Sequence, residues 1–263
     1  MLQQAWADMQ RADLVGSSTV CLVALHPHRA ELRAANVGDS GFLILRPSGG
    51  AAGERPETLG TLDAMARGDG RSGGGSYDSG DFYVAFRSPQ QLRAFNAPYQ
   101  LGRAPDATPG APDGRFETPH DAAKVRFPVR SGDVVLLATD GLFDNMEEEA
   151  VLEVLSAAGA GAPVQQIAQQ LAHRAHALSL DTEVDSPFAT LAKENDILWG
   201  GGRPDDITVI VSRVVDPTET PAAAPAPFAA VTGPGEAPPA ITELPALADA
   251  EPLVAERLEP SWD

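Results

Sequence analysis

Four aspartates stand where a strand end or a tight turn could aim them at a common point. Asp39 lies in the turn Asn36-Val37-Gly38-Asp39-Ser40, and Asp140 follows directly on the apolar run Val134–Ala138. Asp144 comes four residues later, and Asp205 opens Asp205-Asp206-Ile207-Thr208-Val209. A carboxylate at the end of a buried strand needs compensation, because an isolated buried charge is costly. Too few Lys and Arg stand near these motifs to neutralise all four acids, whereas a divalent cation would. All-oxygen donors are hard ligands and favour Mg²⁺ or Mn²⁺ over zinc or copper. Gly141 beside Asp140 allows a sharp turn or the close approach of another group. Each motif taken alone is a weak signal, since most such aspartates cap turns or helices.

Bulk properties narrow the choice. The net charge is −18, with 19 Lys and Arg against 37 Asp and Glu, which argues against binding nucleic acid by neutralising phosphates. No stretch of eighteen apolar residues is present, so no membrane span is expected. Cys21 is the single cysteine, which excludes an internal disulfide and a cysteine zinc cluster and suits reduced, intracellular surroundings. Within an apolar strand it reads as a small core residue rather than a nucleophile.

The elements that must position the aspartates follow from periodicity. Leu2–Arg11 reads as a helix with Leu2, Trp6 and Met9 on one face. Val20–Leu25, Glu31–Val37 and Phe42–Leu45 read as three strands of an antiparallel meander. Ser48–Gly80 holds ten glycines in 33 residues and is expected to be a flexible insertion. Phe82–Phe86 resumes the sheet, and Gln100–Arg115 reads as a loop. Val125–Val129 and Val134–Ala138 are strands, the second covered on both faces. Asn145 with Glu148 three residues on predicts a helix N-cap with a capping box. A second helix is expected over Val164–Leu178, with His173 and His176 on a solvated face. Ile207–Val211 is the last strand, and residues 217–263, with eight carboxylates and one arginine, read as a disordered tail.

Four of these segments together resemble one family. Gly16-Ser17-Ser18-Thr19, Ala35-Asn36-Val37-Gly38-Asp39-Ser40, Ala138-Thr139-Asp140-Gly141-Leu142-Phe143-Asp144 and Pro204-Asp205-Asp206-Ile207-Thr208 follow the motif order of metal-dependent (PPM, type-2C) serine/threonine protein phosphatases. The resemblance covers Leu2–Val215. Phe95–Leu101, Ser186-Pro187-Phe188-Ala189 and Gly200-Gly201-Gly202-Arg203-Pro204 are similar to the branch with mitochondrial and plastid members.

The resemblance implies an α+β fold, two antiparallel sheets packed as a sandwich and flanked by helices, over residues 1–216. It implies a site for two Mg²⁺ or Mn²⁺ ions, with Asp140 and Asp205 as core ligands. Asp39 and Asp144, with Asp140, match the residues that hold a looser third ion, and Asp206 is left outside the set. Implied too are direct hydrolysis of phosphoserine and phosphothreonine by a metal-activated water, a phosphoprotein substrate, and a monomer. The family also carries, ahead of Gly-Ser-Ser-Thr, an Asp-Gly motif that bridges both metals. Neither Asp8-Met9 nor Asp13-Leu14 matches it, so the domain is expected to be N-terminally truncated. That leaves two readings, an active phosphatase or a catalytically impaired relative acting as a binding module.

Overall fold

The computed structural model describes residues 1–12, 14–26, 28–48, 81–104 and 116–216. The expected glycine-rich insertion (after Ser48), most of the Gln100–Arg115 loop and the acidic tail lie outside them. The chain runs through α1 (Leu2–Arg11), β1 (Gly16–Ser18), β2 (Val20–Leu25), β3 (Glu31–Val37), β4 (Gly41–Pro47), β5 (Phe82–Arg87), β6 (Leu92–Ala94), β7 (Ala97–Pro98) and β8 (Leu101–Arg103). It continues through β9 (Ala123–Pro128), β10 (Val134–Ala138), α2 (Asp140–Phe143), α3 (Glu148–Ala158), α4 (Val164–Ser179), α5 (Pro187–Glu194) and β11 (Val209–Arg213).

Two antiparallel sheets dominate, one ordered β11-β10-β4-β5 and the other β2-β3-β9. The side chains of β4 explain why that strand is central. Phe42 and Ile44 point into the core between the sheets, with Leu32, Ala34, Phe127 and Val135. Leu43 and Leu45 point the other way, joining Leu136, Leu152, Leu155, Ile167 and Leu171 beneath the helices. An unbroken apolar run such as Phe42–Leu45 or Val134–Ala138 must have both faces covered, and β4 and β10 meet this side by side, Leu136 opposite Leu43. On the far side of the three-stranded sheet, Leu2 and Trp6 of α1 pack on Val37, Leu101 and Ala122. The layers therefore run helix, sheet, sheet, helices, the sandwich implied by the resemblance. No helix among the described residues is long and apolar enough to cross a membrane.

The meander is corrected. β2 and β3 pair, but β4 pairs with β5 and β10 in the other sheet. Gly38 at φ +101° lets the chain leave one sheet and enter the next, and the unbroken apolar run of β4 demands a position between two covered faces. Leu101–Arg103, expected as loop, instead pairs with β1. Tyr99 and Leu101 give it an apolar side that covers Val37.

Candidate metal centre

β10 and β11 bring two of the aspartates together. Beyond the last ladder pair, the Thr139 N–H donates to the Thr208 carbonyl at 3.2 Å, and the Thr208 N–H donates to Thr139 Oγ1 at 3.1 Å. This extra rung sets Asp140, the first residue of α2, beside the Asp205–Thr208 segment. Gly141 makes the approach possible, since a Cβ there would collide with the Asp206 carbonyl and press on Ile207. One turn of helix then carries the chain to Asp144, whose N–H donates to the Asp140 carbonyl at 2.7 Å.

Asn145 holds the two segments in place. Its amide donates to the Gly141 carbonyl at 2.9 Å and to the Arg203 carbonyl at 2.8 Å, while its Oδ1 accepts from the Arg203 N–H at 2.8 Å. The expected capping box is therefore corrected. The helix α3 starts at Glu148 after Glu147, with no side-chain cap, because Asn145 is committed to a partner 58 residues away. Asp205 and Asp206 likewise precede β11 by three to four residues rather than opening it.

Asp39 arrives from the other direction, on the turn that passes from β3 to β4. Buried Asn36 fixes this turn by donating to the Gly38 and Pro89 carbonyls. Thr19, from the Gly16–Thr19 motif, meets Ser40 through hydroxyls 2.9 Å apart. A side chain at Gly38 would meet Thr19 and the Tyr99 carbonyl oxygen, the latter at 2.7 Å, so the turn is packed as well as strained.

The four aspartates share one electrostatic environment with Arg203. Its guanidinium contacts Asp140 Oδ2 at 3.2 Å, Asp205 Oδ2 at 3.3 Å and, more closely, Asp144 Oδ2. The same guanidinium lies 4.6 Å from the centre of the Phe188 ring, which packs between Phe95 and Trp199. Burial pushes the Asp144 carboxyl up to about 7 against the pull of Arg203, and Asp140 and Asp39 add to the rise. Asp39 is held above its ordinary value by burial first and by Asp140 second. One guanidinium does not neutralise four acids.

Of the four aspartates expected as metal ligands, Asp140, Asp144 and Asp205 contact Arg203, and Asp39 lies within electrostatic reach of Asp140 and Arg203. They gather around Arg203, and among the described residues no three acidic, His or Cys side chains are arranged to hold an ion. Arg203, Asn145 and Phe188 were missed as parts of the site. The signal for Arg203 was its place two residues before Asp205. His173 and His176 stand exposed on α4, in keeping with a solvated face.

Comparison with known proteins bears on the family resemblance. The Stage II sporulation protein E (SpoIIE) family matches residues 100–215. The chain is 36% identical over 211 residues to the protein phosphatase PTC7 homolog of Homo sapiens, covering 80% of this chain and 58% of that protein. It is 36% identical over 223 residues to the PTC7 homolog fig of Drosophila ananassae, covering 82% and 56%. It thus spans a little over half the length of the curated relatives it matches. Among solved structures, the photosystem II phosphatase PBCP superposes with a TM-score of 0.58 at 25% identity, over 81% of this chain and 70% of that one. Motif order, layer architecture and these likenesses agree: the chain is similar to the metal-dependent (PPM, type-2C) serine/threonine protein phosphatases.

Proposed function

We propose that the chain hydrolyses phosphoserine and phosphothreonine esters in proteins, using Mg²⁺ or Mn²⁺. The observation that carries this reading is the convergence of Asp39, Asp140, Asp144 and Asp205, from three separate segments, on a site whose only described counter-charge is Arg203. The donor type suits hard divalent ions, being all carboxylate oxygen and under-compensated in charge, while around Arg203 no three of the described carboxylates are arranged to hold one. Asp140 and Asp205 would hold two ions, and Asp39 and Asp144, with Asp140, a looser third. When bound, such ions supply the positive charge that acidifies a water and offsets the charge on phosphoryl oxygens.

The residues of the chain do the positioning. Thr139 and Thr208 set the spacing of Asp140 and Asp205, Asn145 locks both backbones, and Gly141 keeps the gap narrow. Asp39 is held by a turn in which Asn36 and Thr19 leave little freedom. Such fixed placement matters because phosphomonoester hydrolysis is among the slowest uncatalysed reactions. Cys21, half-buried with its thiol pushed up to about 11 by burial, fits a structural role rather than a nucleophile's.

Manganese-dependent hydrolysis of a small aryl phosphate by the full chain tests the proposal, with Asp140→Asn and Asp205→Asn as controls. Turnover that each substitution lowers at least ~100-fold supports it. A folded chain without turnover would leave a binding module in its place.

A further inference from the structure

We propose that Arg203 is the built-in counter-cation of the aspartate cluster, and that metal entry requires its guanidinium to leave Asp140 and Asp205. This inference rests on the metal-dependent reading above.

Each oxygen of Asp140 and Asp205 already meets one donor. Asp140 Oδ1 accepts from the Gly141 N–H at 3.0 Å and Asp205 Oδ1 from the Asp206 N–H at 2.7 Å. The remaining oxygen of each, Oδ2, faces Arg203. A divalent ion bound through those oxygens would sit about 2.0–2.2 Å from them. That would leave it within a few Å of the guanidinium, where like charges repel in a partly buried setting. The ion and the guanidinium in its present place compete for the same carboxylate charge.

Arg203 is also built to move without disturbing the site. Its backbone is clamped on both sides by Asn145, so the 139–145 and 203–208 segments stay together whatever the side chain does. Its side chain is 18% exposed, which leaves a way out toward solvent. The Phe188 ring offers a face on which a guanidinium can rest while it exchanges partners. The aromatic support is itself tied to the site, because the Phe188 N–H donates to the Asp144 carbonyl at 3.0 Å. Metal affinity is therefore the difference between two cations competing for one set of carboxylates, and Arg203 sets the threshold.

The test is Mn²⁺ titration by calorimetry of the full chain and its Arg203→Gln variant, with thermal midpoints recorded in chelator. The variant should bind Mn²⁺ roughly tenfold more tightly, a size usual for coupled sites. Its metal-free midpoint should fall, because the carboxylates then repel one another uncompensated. Arg203→Lys keeps the charge but loses the fork that reaches three carboxylates, and should lie between. If Arg203→Gln does not fold, the Lys variant carries the test on its own affinity shift. For an Arg203→Ala chain, millimolar guanidinium chloride should weaken Mn²⁺ binding where equal sodium chloride does not. Equal Mn²⁺ affinity in wild type and the variants would overturn the inference while leaving the metal reading standing. No Mn²⁺ uptake by any of them would overturn both.

Discussion

Arg46 and Asp133 form a buried pair far from the candidate site, and cutting it tests how the two sheets are joined. Asp133 is fully buried and receives Arg46 through Nε and Nη2, each at 2.8 Å. It also accepts the Arg130 N–H at 2.9 Å, while Arg46 Nη2 donates to the Pro128 carbonyl at 3.1 Å. The guanidinium lies 5.7 Å from the Phe127 ring centre. One ion pair thus links β4, the end of β9 and the start of β10, which belong to both sheets. Asp133→Ala would leave a buried guanidinium without its carboxylate, holding the Pro128 carbonyl and the Tyr83 side chain, a loss of about 3–5 kcal/mol. With a urea slope of about 2–3 kcal/mol/M, the unfolding midpoint should fall by ~1–2 M. Arg46→Met should cost a similar amount. The double variant Arg46→Met, Asp133→Leu should recover most of the loss, since a packed apolar pair of similar volume is often neutral. Urea melts of all four proteins give the coupling energy. Single losses below about 1 kcal/mol, or a double variant as weak as the two singles added, would refute the reasoning.

Other expectations are more local. Gly141→Ala forces a methyl into the Asp206 carbonyl, and should cost about 1–3 kcal/mol by urea melt and weaken Mn²⁺ binding in the same protein. Asn145→Ala removes three hydrogen bonds to buried or half-buried backbone and should cost about 2–4 kcal/mol, with Asn145→Asp recovering part of it. Cys21, its thiol pushed up to about 11, holds a thiolate fraction of only ~10⁻³ at pH 8. Its reaction with an aromatic disulfide should accelerate steadily from pH 8 toward 11, and should become fast at pH 8 once urea unfolds the chain. Rapid modification of the folded protein at pH 8 would contradict its burial.

The parts of the fold legible in the sequence were those in which local pattern and tertiary need coincide. Val134–Ala138 is apolar without a break, and only a strand with both faces covered tolerates that. Leu2, Trp6 and Met9 gave α1 its bounds because a 3.6-residue stripe has one use. The sheet change at Gly38 was hidden, since a short glycine turn between two apolar runs looks the same whether the strands pair or part. Asn145 carried every local mark of a helix cap, yet partners 58 residues away outcompeted the local one. Within the site, the aspartates were visible as strand-end acids. Arg203 was not, because its contacts with Asp140 and Asp144 exist only after β10 and β11 have paired.

The two sheets meet along a stack of aromatic rings, Phe42 on Phe86 at 5.4 Å and Phe86 on Phe127 at 5.2 Å. Asp39 hangs from the turn between the layers, whereas Asp140, Asp144 and Asp205 hang from the four-stranded sheet and its helices. Repulsion between Asp39 and Asp140 therefore acts across the seam as a wedge, and any cation they share acts as a clasp. Core packing and site charge are two loads on one joint. Trimming a ring deep in the stack should loosen the clasp without touching a single carboxylate, so substitutions remote from the aspartates can tune the strength with which they hold an ion.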